Sequence, residues 1–444
     1  MNSPATIDGL QALQDRFAII DLAGDIRVVD RHQIAQIQAG NDRSGLSLYK
    51  KADASILMKR YLEGLPVTGK PERILQDFWV SPQTHMYTGV AFSPAKLPPE
   101  ILNYWIGPTA LPAQGDWRVL HDFLFEVICA GDAASFEYLT VYLAHMLQRP
   151  GEKPGVMVVM LGAQGIGKGT FFQLLAAIWG RTTVLISDVE QVVGKFNSVI
   201  ERNLAICMDE ALFHGDKKSM ERMKSLITEP TILVEQKHQP SRSIDSYHRF
   251  FAASNNDHFG HLDRDDRRML FLRVSDARKG DEAYFGRLFA AIEDPNVVGA
   301  MVFDLQRLDL SGVNVRSRPI TPEHVTQKLL SLTGFERYWY EVLLAGELDV
   351  GHVAFDGLKR KYSTAQFIST RELKRCFENY DRQAGRHGPI QEKQIALVLK
   401  RFCPSAKSTR FQDGSGKVRG FKLPSLTVAR KEFEAAIGAK AKWI

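Results

Sequence analysis

The chain has 444 residues, of which 44% are hydrophobic and 24% charged, and its formal net charge is +6. This composition excludes collagen-like, coiled-coil and disordered proteins, and the length predicts two to four domains. The longest apolar run near the middle of the chain, Val156–Leu161, is far shorter than the roughly 18 residues of a membrane span. Because the N-terminus also lacks the pattern of a signal peptide, we expect a cytoplasmic protein without membrane contact.

The four cysteines, Cys129, Cys207, Cys376 and Cys403, are far apart and form no C-x-x-C pair. This spacing argues against a zinc site and against a disulfide framework, so we predict four free thiols packed as small hydrophobic side chains.

The charge is unevenly distributed. Residues 359–444 contain 20 Lys and Arg but 7 Asp and Glu, a net charge of +13, which leaves −7 for the rest of the chain. A basic C-terminal segment is typical of a nucleic-acid contact. A solvated basic surface is the alternative.

Residues 1–117 show short strand patterns at Phe17–Ile20 and Ile26–Val29 between many Gly and Pro turns, which predicts an α+β accessory region. We assign no catalytic motif to it. Residues 118–154 predict a helical collar that ends at a Pro- and Gly-rich break. Its apolar residues recur on one helical face, at Phe136, Leu139, Leu143 and Met146.

Residues 155–310 alternate apolar strands with helices, which is typical of an α/β nucleotide-binding core. The predicted strands are Val156–Leu161, Thr183–Ile186, Leu204–Met208 and Arg249–Ser254. A linker follows at 311–325, and 326–444 predict a basic winged-helix domain. In that domain Ser369–Glu372 is a capping box, Pro389 lies in the first turn of the next helix, and 413–416 form a hairpin turn.

A glycine-rich stretch lies between the first core strand and a predicted helix at 171–179. Its glycines allow backbone N–H groups to surround a triphosphate, and Lys168 reaches the β- and γ-phosphates. Gly169 stands where a Ser or Thr ordinarily ligates Mg²⁺, so Thr170 is the candidate metal ligand. The predicted ATP-binding residues are Gly162, Ala163, Gln164, Gly165, Ile166, Gly167, Lys168, Gly169 and Thr170.

Polar groups follow the later core strands. Asp209 is expected to hold Mg²⁺ through water, and Glu210 to orient or deprotonate the water that attacks ATP. Asn255 is a candidate contact of the γ-phosphate, with a plain Asn-Asn turn as the alternative. Either Arg267 or Arg268 is a candidate to reach the ATP of a neighbouring subunit, with a solvated charge run as the alternative.

Basic residues outside the ATP site predict DNA contacts. Residues 231–244 predict a projecting hairpin in which Lys237, His238 and Arg242 contact DNA phosphates, unless it is an ordinary surface hairpin. The candidates in the winged-helix domain are Lys393, Lys400, Arg401, Arg410, Lys417 and Arg419.

Together these motifs resemble the superfamily-3 helicases, and more closely the phage and plasmid primase-helicase proteins. The resemblance covers roughly residues 75–440 and rests on Gly162–Thr170, Asp209–Phe213, 223–237 and Ala253–Asn255. It implies a P-loop AAA+ core in a homo-oligomeric, hexameric ring. Such a ring hydrolyses ATP with Mg²⁺, moves on single-stranded DNA and unwinds forked DNA during replication in a bacterial host cell.

A separate primase or polymerase is an implied partner, because we find neither zinc ligands nor a paired-Asp strand for primer synthesis in this chain. Two alternatives stay open. One is an origin-binding or assembly protein that uses ATP without unwinding DNA. The other is an adenylate-kinase-like enzyme, whose phosphate loop reads similarly.

Overall fold

The structure is a computed structural model. It describes residues 7–22, 24–38, 46–211, 217–235, 241–263, 266–349, 360–385, 390–413 and 416–443. The chain divides into two compact units, the first of Met1–Leu212, Lys218–Asn256 and Arg267–Pro319, the second of Phe213–Lys217, Asp257–Asp266 and Ile320–Ile444. In the part of the chain that the structure describes, no helix is both long and apolar enough to cross a bilayer.

The first unit begins with a small α+β region. Its elements are α1 (Gly9–Arg16), β1 (Phe17–Leu22), β2 (Asp25–Asp30), α2 (Arg31–Gln38), α3 (Lys51–Glu63), α4 (Pro71–Val80), β3 (Met86–Tyr87), β4 (Gly89–Ala91) and β5 (Ile101–Asn103). β1 pairs antiparallel with β2 and parallel with β3, which confirms the first two predicted strands. The Asp8 carboxylate caps α1 by accepting from the N–H groups of Leu10 and Gln11.

Helices lead from this region to the core sheet. They are α5 (Arg118–Asp122), a π-helix (Phe123–Ile128) and α6 (Ala133–Gln148). The predicted apolar face of α6 is confirmed, since Leu139, Leu143 and Met146 are buried. Tyr142 on the same helix packs edge-on against Phe251 in the core sheet, with ring centroids 5.8 Å apart. The predicted collar therefore shares one hydrophobic core with the sheet.

A five-stranded parallel sheet forms the centre of the first unit. In chain order its region comprises β6 (Met157–Leu161), α7 (Lys168–Trp179), β7 (Thr183–Ile186), α8 (Glu190–Val193), β8 (Ala205–Met208), α9 (Lys217–Thr228), β9 (Thr231–Val234), β10 (Arg242–Asp245), β11 (Arg249–Ser254), β12 (Met269–Arg273), α10 (Glu282–Glu293) and α11 (Pro295–Arg307). The strand order is β12-β6-β11-β8-β7, which counts along the chain as fifth, first, fourth, third and second. The four predicted strands are confirmed. Every residue of β6, β8 and β11 is buried, as in sheets covered on both faces.

The four cysteines are free and buried, as predicted. Cys207 lies within β8, and burial raises the pKa of its thiol well above the ordinary range. A thiol of this kind behaves as a small apolar side chain.

A fully buried arginine joins the amino end of β11 to the turn after α6. The Arg249 guanidinium donates to the carbonyl oxygens of Arg149, Pro150 and Glu152, and to that of Tyr247. Beside it, Lys153 Nζ donates to the Ser246 hydroxyl at 2.6 Å and to the carbonyl oxygens of Leu226, in the last turn of α9, and Glu229, just after it. The two side chains thus donate hydrogen bonds to backbone carbonyls that have no strand partner at this edge of the sheet.

Two histidines near Arg249 predict a loss of stability in acid. Burial lowers the pKa of His248 to about 3 and that of His145 to about 4, from an ordinary value of 6.5. Both imidazoles are therefore neutral in the folded chain and take up a proton only on unfolding. The contribution of the two neutral imidazoles to stability is fully present above pH 6.5. The free energy of unfolding should fall by roughly 2 kcal/mol per histidine between pH 6.5 and 4.5.

Urea denaturation of the wild type and of His145→Gln with His248→Gln, at both pH values, measures this effect. The double variant should lose less stability than the wild type on acidification. An equal loss in the two proteins would assign the acid sensitivity to other groups.

The second unit contains a three-stranded sheet among helices. Its elements are α12 (Pro322–Leu330), α13 (Gly334–Ala345), β13 (Gln366–Ser369), α14 (Thr370–Gln383), α15 (Glu392–Phe402), β14 (Lys407–Asp413), β15 (Gly416–Leu423) and α16 (Leu426–Ile437). β15 lies between β13 and β14 and is antiparallel to both, so the predicted hairpin is confirmed.

Two helix starts in this unit were predicted, one correctly. α14 begins at the Ser369 cap, whose hydroxyl accepts from the Glu372 N–H. The start of α15 near Pro389 is wrong. Gln391 and Gln394 form a capping box that fixes the first turn at Glu392, and Pro389 lies outside the described residues.

Candidate functional site

The glycine-rich loop connects the end of β6 to the start of α7. Gly162, Gly165 and Gly167 have φ angles of 148°, 76° and 104°, which favour glycine. A Cβ on Gly162 would lie 2.7 Å from Ile166 Cδ1, and one on Gly167 would lie 3.1 Å from Phe123 of the π-helix. The packing behind the loop thus also requires glycine. The loop leaves the first N–H groups of α7 at the carboxyl edge of the sheet, where an anion can bind them.

Lys168, in the first turn of α7, is turned back onto this loop. Its Nζ donates to the carbonyl oxygens of Gly162 at 2.7 Å and Ala163 at 2.6 Å, and to Asn255 Oδ1 at 2.8 Å. Burial lowers the pKa of Lys168, while the negative charges of Asp209 and Glu210 act in the opposite direction. The lysine is held in place and is electrostatically coupled to both carboxylates.

The predicted carboxylates directly follow β8. Asp209 is half-buried and accepts from the Glu210 N–H at 3.0 Å, whereas the Glu210 side chain is exposed. Glu210 has a φ of 54°, a conformation that non-glycine residues seldom adopt. The next residue, Ala211, donates its N–H to the Ala253 carbonyl at 2.9 Å. This bond fixes the turn against β11.

Strand order brings these groups together. β11 lies between β6 and β8, so Asn255, which follows β11, stands between the glycine loop and the carboxylate turn. The Gly162 N–H donates to the Ser254 carbonyl at 3.2 Å and so links the carboxyl ends of β6 and β11. The structure thus places Lys168, Asp209, Glu210 and Asn255 at one edge, the edge where ligands of parallel sheets bind. Their individual roles stay predictions.

The space in front of the loop suits a polyphosphate. A Cβ built on Gly165 or Gly169 would meet no atom within 4 Å, so this side of the loop is open. Thr170, the predicted Mg²⁺ ligand, is 7% exposed. The half-buried Asp209 carboxylate is more accessible than the Thr170 hydroxyl and would hold the metal through water, as predicted. The residues therefore fit a nucleotide and its Mg²⁺, with few ligands from the protein.

The two candidate arginines lie at the opposite edge. They immediately precede β12, which runs parallel to β6 from the pair Met269 and Met157. The strands are about 16 Å long, so neither arginine belongs to the site of its own chain. Arg267 is exposed and Arg268 half-buried. A contribution to a neighbouring chain's site stays a prediction.

The predicted hairpin consists of β9 and β10, which pair antiparallel with Val234 opposite Arg242. Arg242 forms an ion pair with Glu201 at 2.6 Å, so part of its charge is neutralised within the protein. Lys237 and His238, the predicted DNA contacts at the tip, lie outside the described residues.

The basic candidates of the second unit are exposed: Lys393, Lys400, Arg401, Arg410, Lys417 and Arg419. Arg401 pairs with Glu336 at 2.9 Å, whereas Arg410 and Arg419 are direct cross-strand neighbours. Two further lysines, Lys407 and Lys422, are also cross-strand neighbours and were missed. Their signal in the sequence was the positive charge that also selected the arginines, on either side of the hairpin turn at 413–416.

Comparison with solved structures gives the fold. The apo structure of the NrS-1 C-terminal region superposes with a TM-score of 0.65, covering 94% of this chain and all of that one, at 15% identity. The chain is similar in fold to that region. A second apo structure of it, the A form, gives a TM-score of 0.64 at 16% identity and covers 93% of this chain and 98% of that one.

Two sequence comparisons agree with this fold. A family of unknown function, DUF5906, matches residues 160–268, the segment that contains the glycine loop, the carboxylates and Asn255. A DNA primase-polymerase of Nitratiruptor phage NrS-1 is 25% identical over 154 residues, which are 34% of this chain. The match spans 21% of that protein. The chain is thus related to part of a phage primase-polymerase.

Proposed function

We propose that this chain is an ATP-dependent DNA helicase of a phage, prophage or plasmid replication system, which acts as a ring on single-stranded DNA. The observation that supports it most is the contact of Lys168 with Asn255 between the glycine loop and Asp209 and Glu210. The fifth-first-fourth-third-second strand order also agrees with a P-loop AAA+ core. The three-stranded sheet and helices of the second unit agree with a winged-helix domain.

ATP and Mg²⁺ supply the cleavable anhydride bond and the neutralising charge. The loop N–H groups bind the phosphates, and Lys168 exchanges the carbonyl oxygens of Gly162 and Ala163 for the β- and γ-phosphate oxygens. Asp209 holds the metal through water. Glu210, exposed at the edge, orients the attacking water and accepts its proton, and Asn255 binds the γ-phosphate.

A role in DNA replication rests on two features. The relative with the matching sequence is named a DNA primase-polymerase. The chain segment 359–444 carries a net charge of +13, which suits binding to phosphates. We infer that this chain contacts single-stranded or forked DNA and works with a primase or polymerase activity.

The proposal predicts that two inactive variants restore each other. Lys168→Ala removes the phosphate contact, and Arg267→Ala with Arg268→Ala removes the trans arginine, so each protein alone should hydrolyse little ATP. In a one-to-one mixture, roughly a quarter of the interfaces combine an intact loop with an intact arginine. We expect ATP hydrolysis to return to about that fraction and to rise when a single-stranded oligonucleotide is added.

A mixture that stays inactive would refute the shared site, and hydrolysis indifferent to DNA would refute the helicase. Three assays on the wild type then identify the alternatives. Phosphoryl transfer to AMP indicates an adenylate-kinase-like enzyme. ATP-dependent assembly on duplex DNA without turnover indicates an origin-binding protein.

The third assay tests a nucleotidyl transferase, which the name of the phage relative favours. Incorporation of deoxynucleotides into a primer would support that activity. Among the described residues, the structure shows no cluster of three or more His, Cys, Asp or Glu that suits a metal ion. Two carboxylates of the N-terminal region form ion pairs instead, Asp25 with Arg27 at 2.6 Å and Asp30 with Arg16 at 3.0 Å.

A further inference from the structure

The three-stranded sheet of the second unit has one buried face and one outer face. Phe367, Lys422 and Lys407 are direct neighbours across β13, β15 and β14, so their side chains share a face. The adjacent row, with Ile368 and Phe421, is buried and faces the core. We name Phe367, Lys407, Phe411 and Lys422 on the outer side the outer-face patch.

Two aromatic rings form the apolar part of this patch. The rings of Phe367 and Phe411 have centroids 5.1 Å apart and an interplanar angle of 35°, and Phe367 is 43% exposed. Gly420 makes this arrangement possible, because a Cβ there would lie 2.7 Å from Phe411 Cε1. The Phe411 ring therefore occupies the space that a side chain at position 420 would fill. A ring presented to solvent in this way is available to stack with a planar ligand.

The charged part of the patch is a pair of like charges. Lys407 and Lys422 are exposed and directly opposite each other, an arrangement that destabilises a strand pair by itself. Lys422 Nζ lies 5.7 Å from the centroid of the Phe367 ring, so cation and aromatic face are adjacent. The two ammonium groups repel each other in the free protein, and a bound anionic ligand would relieve this repulsion.

We propose that the outer-face patch binds single-stranded DNA, with an unpaired base stacked on Phe367 and the neighbouring phosphates bound by Lys407 and Lys422. Alternation of aromatic and cationic groups is the chemistry by which proteins hold single strands without sequence preference. A duplex does not fit equally well, because its base faces are already covered by neighbouring bases. The choice of DNA rests on the proposed function.

The patch differs from the predicted contacts on the same hairpin. Arg410 and Arg419 are cross-strand partners in the rows that alternate with those of the patch, and Lys417 lies on their side. They therefore project from the opposite face of the sheet. One face of the hairpin therefore carries the outer-face patch for single-stranded DNA, and the other face carries the arginine pair, which can bind phosphates. Substitutions on the two faces should have separable effects.

The full chain, without nucleotide, is tested by fluorescence anisotropy with an oligo-dT probe and an abasic probe of equal length. Phe367→Ala should weaken dT binding about 5- to 100-fold and leave abasic binding unchanged, whereas Phe367→Trp should restore dT binding. Lys407→Ala with Lys422→Ala should weaken both probes and reduce the slope of log affinity against log salt by about 1.4.

Phe289→Ala is the matched control, since Phe289 is 39% exposed on α10 of the first unit. Phe367→Leu keeps an apolar contact to Phe411 but cannot stack, so it should behave like Phe367→Ala if the hairpin stays folded. An unchanged dT affinity of Phe367→Ala, or an equal loss on both probes, would overturn the proposal. The proposed function is tested separately, because a wild-type chain that hydrolyses no ATP would overturn it, whereas the dT and abasic affinities would still test the outer-face patch.

Discussion

Glu210→Gln should bind ATP as tightly as the wild type and hydrolyse it about a thousandfold more slowly. The substitution keeps the length and hydrogen-bonding capacity of the side chain but removes the base that accepts a proton from water. The φ of 54° at this position is equally available to both residues, so the turn after β8 should persist. Nucleotide affinity is measured with a fluorescent ATP analogue and turnover by phosphate release.

Glu293→Gln, at the exposed end of α10, is the control and should keep wild-type turnover. Lys168→Ala distinguishes chemistry from binding, because removal of the ammonium should weaken nucleotide affinity as well as turnover. If Glu210→Gln hydrolysed ATP at the rate of the control, the water-activating group would have to be sought elsewhere on the edge.

Arg249→Met should strongly destabilise the first unit. Burial lowers the pKa of Arg249 to about 10, so the guanidinium is charged at neutral pH and binds four backbone carbonyls. Methionine fills part of the volume but donates no hydrogen bond. Removing a buried donor that several partly buried carbonyls share costs about 3 kcal/mol or more, which urea denaturation detects as a lower midpoint.

Arg287→Met on the exposed side of α10 provides the comparison and should change the free energy of unfolding by less than about 0.5 kcal/mol. Arg249→Lys should fall between the two, since an ammonium keeps the charge but reaches fewer of the carbonyls. Equal midpoints for Arg249→Met and Arg287→Met would show that water replaces the guanidinium without loss.

Local elements were predictable where the chain itself contains the cause. Strands buried on both faces read as uninterrupted apolar runs, so β6 and β11 were found from composition. The glycine loop was found because its glycines and Lys168 lie within one short stretch of the sequence. The start of α15 was misplaced because Pro389 is a good first-turn residue, yet the capping box of Gln391 decides the start.

Contacts between distant residues were not predictable. Lys168 and Asn255 are 87 residues apart, and their bond depends on which strand lies between β6 and β8. The ion pair of Arg242 with Glu201 likewise follows from the tertiary arrangement, so a residue selected for its charge proved to have a partner. The outer-face patch required the register of three strands, because a shift of one residue would exchange its two faces.

The three hydrogen bonds of the Lys168 ammonium have a consequence for ligand selection. Under the proposed function, phosphate oxygens must displace protein oxygen atoms before they can bind the Lys168 ammonium. The loss of those hydrogen bonds reduces the net binding free energy. A tri- or diphosphate offers enough negative charge to replace them, whereas a nucleoside or a monophosphate offers too little. If the loop binds phosphates as proposed, these hydrogen bonds favour di- and triphosphates over nucleosides and monophosphates without any contact to the base.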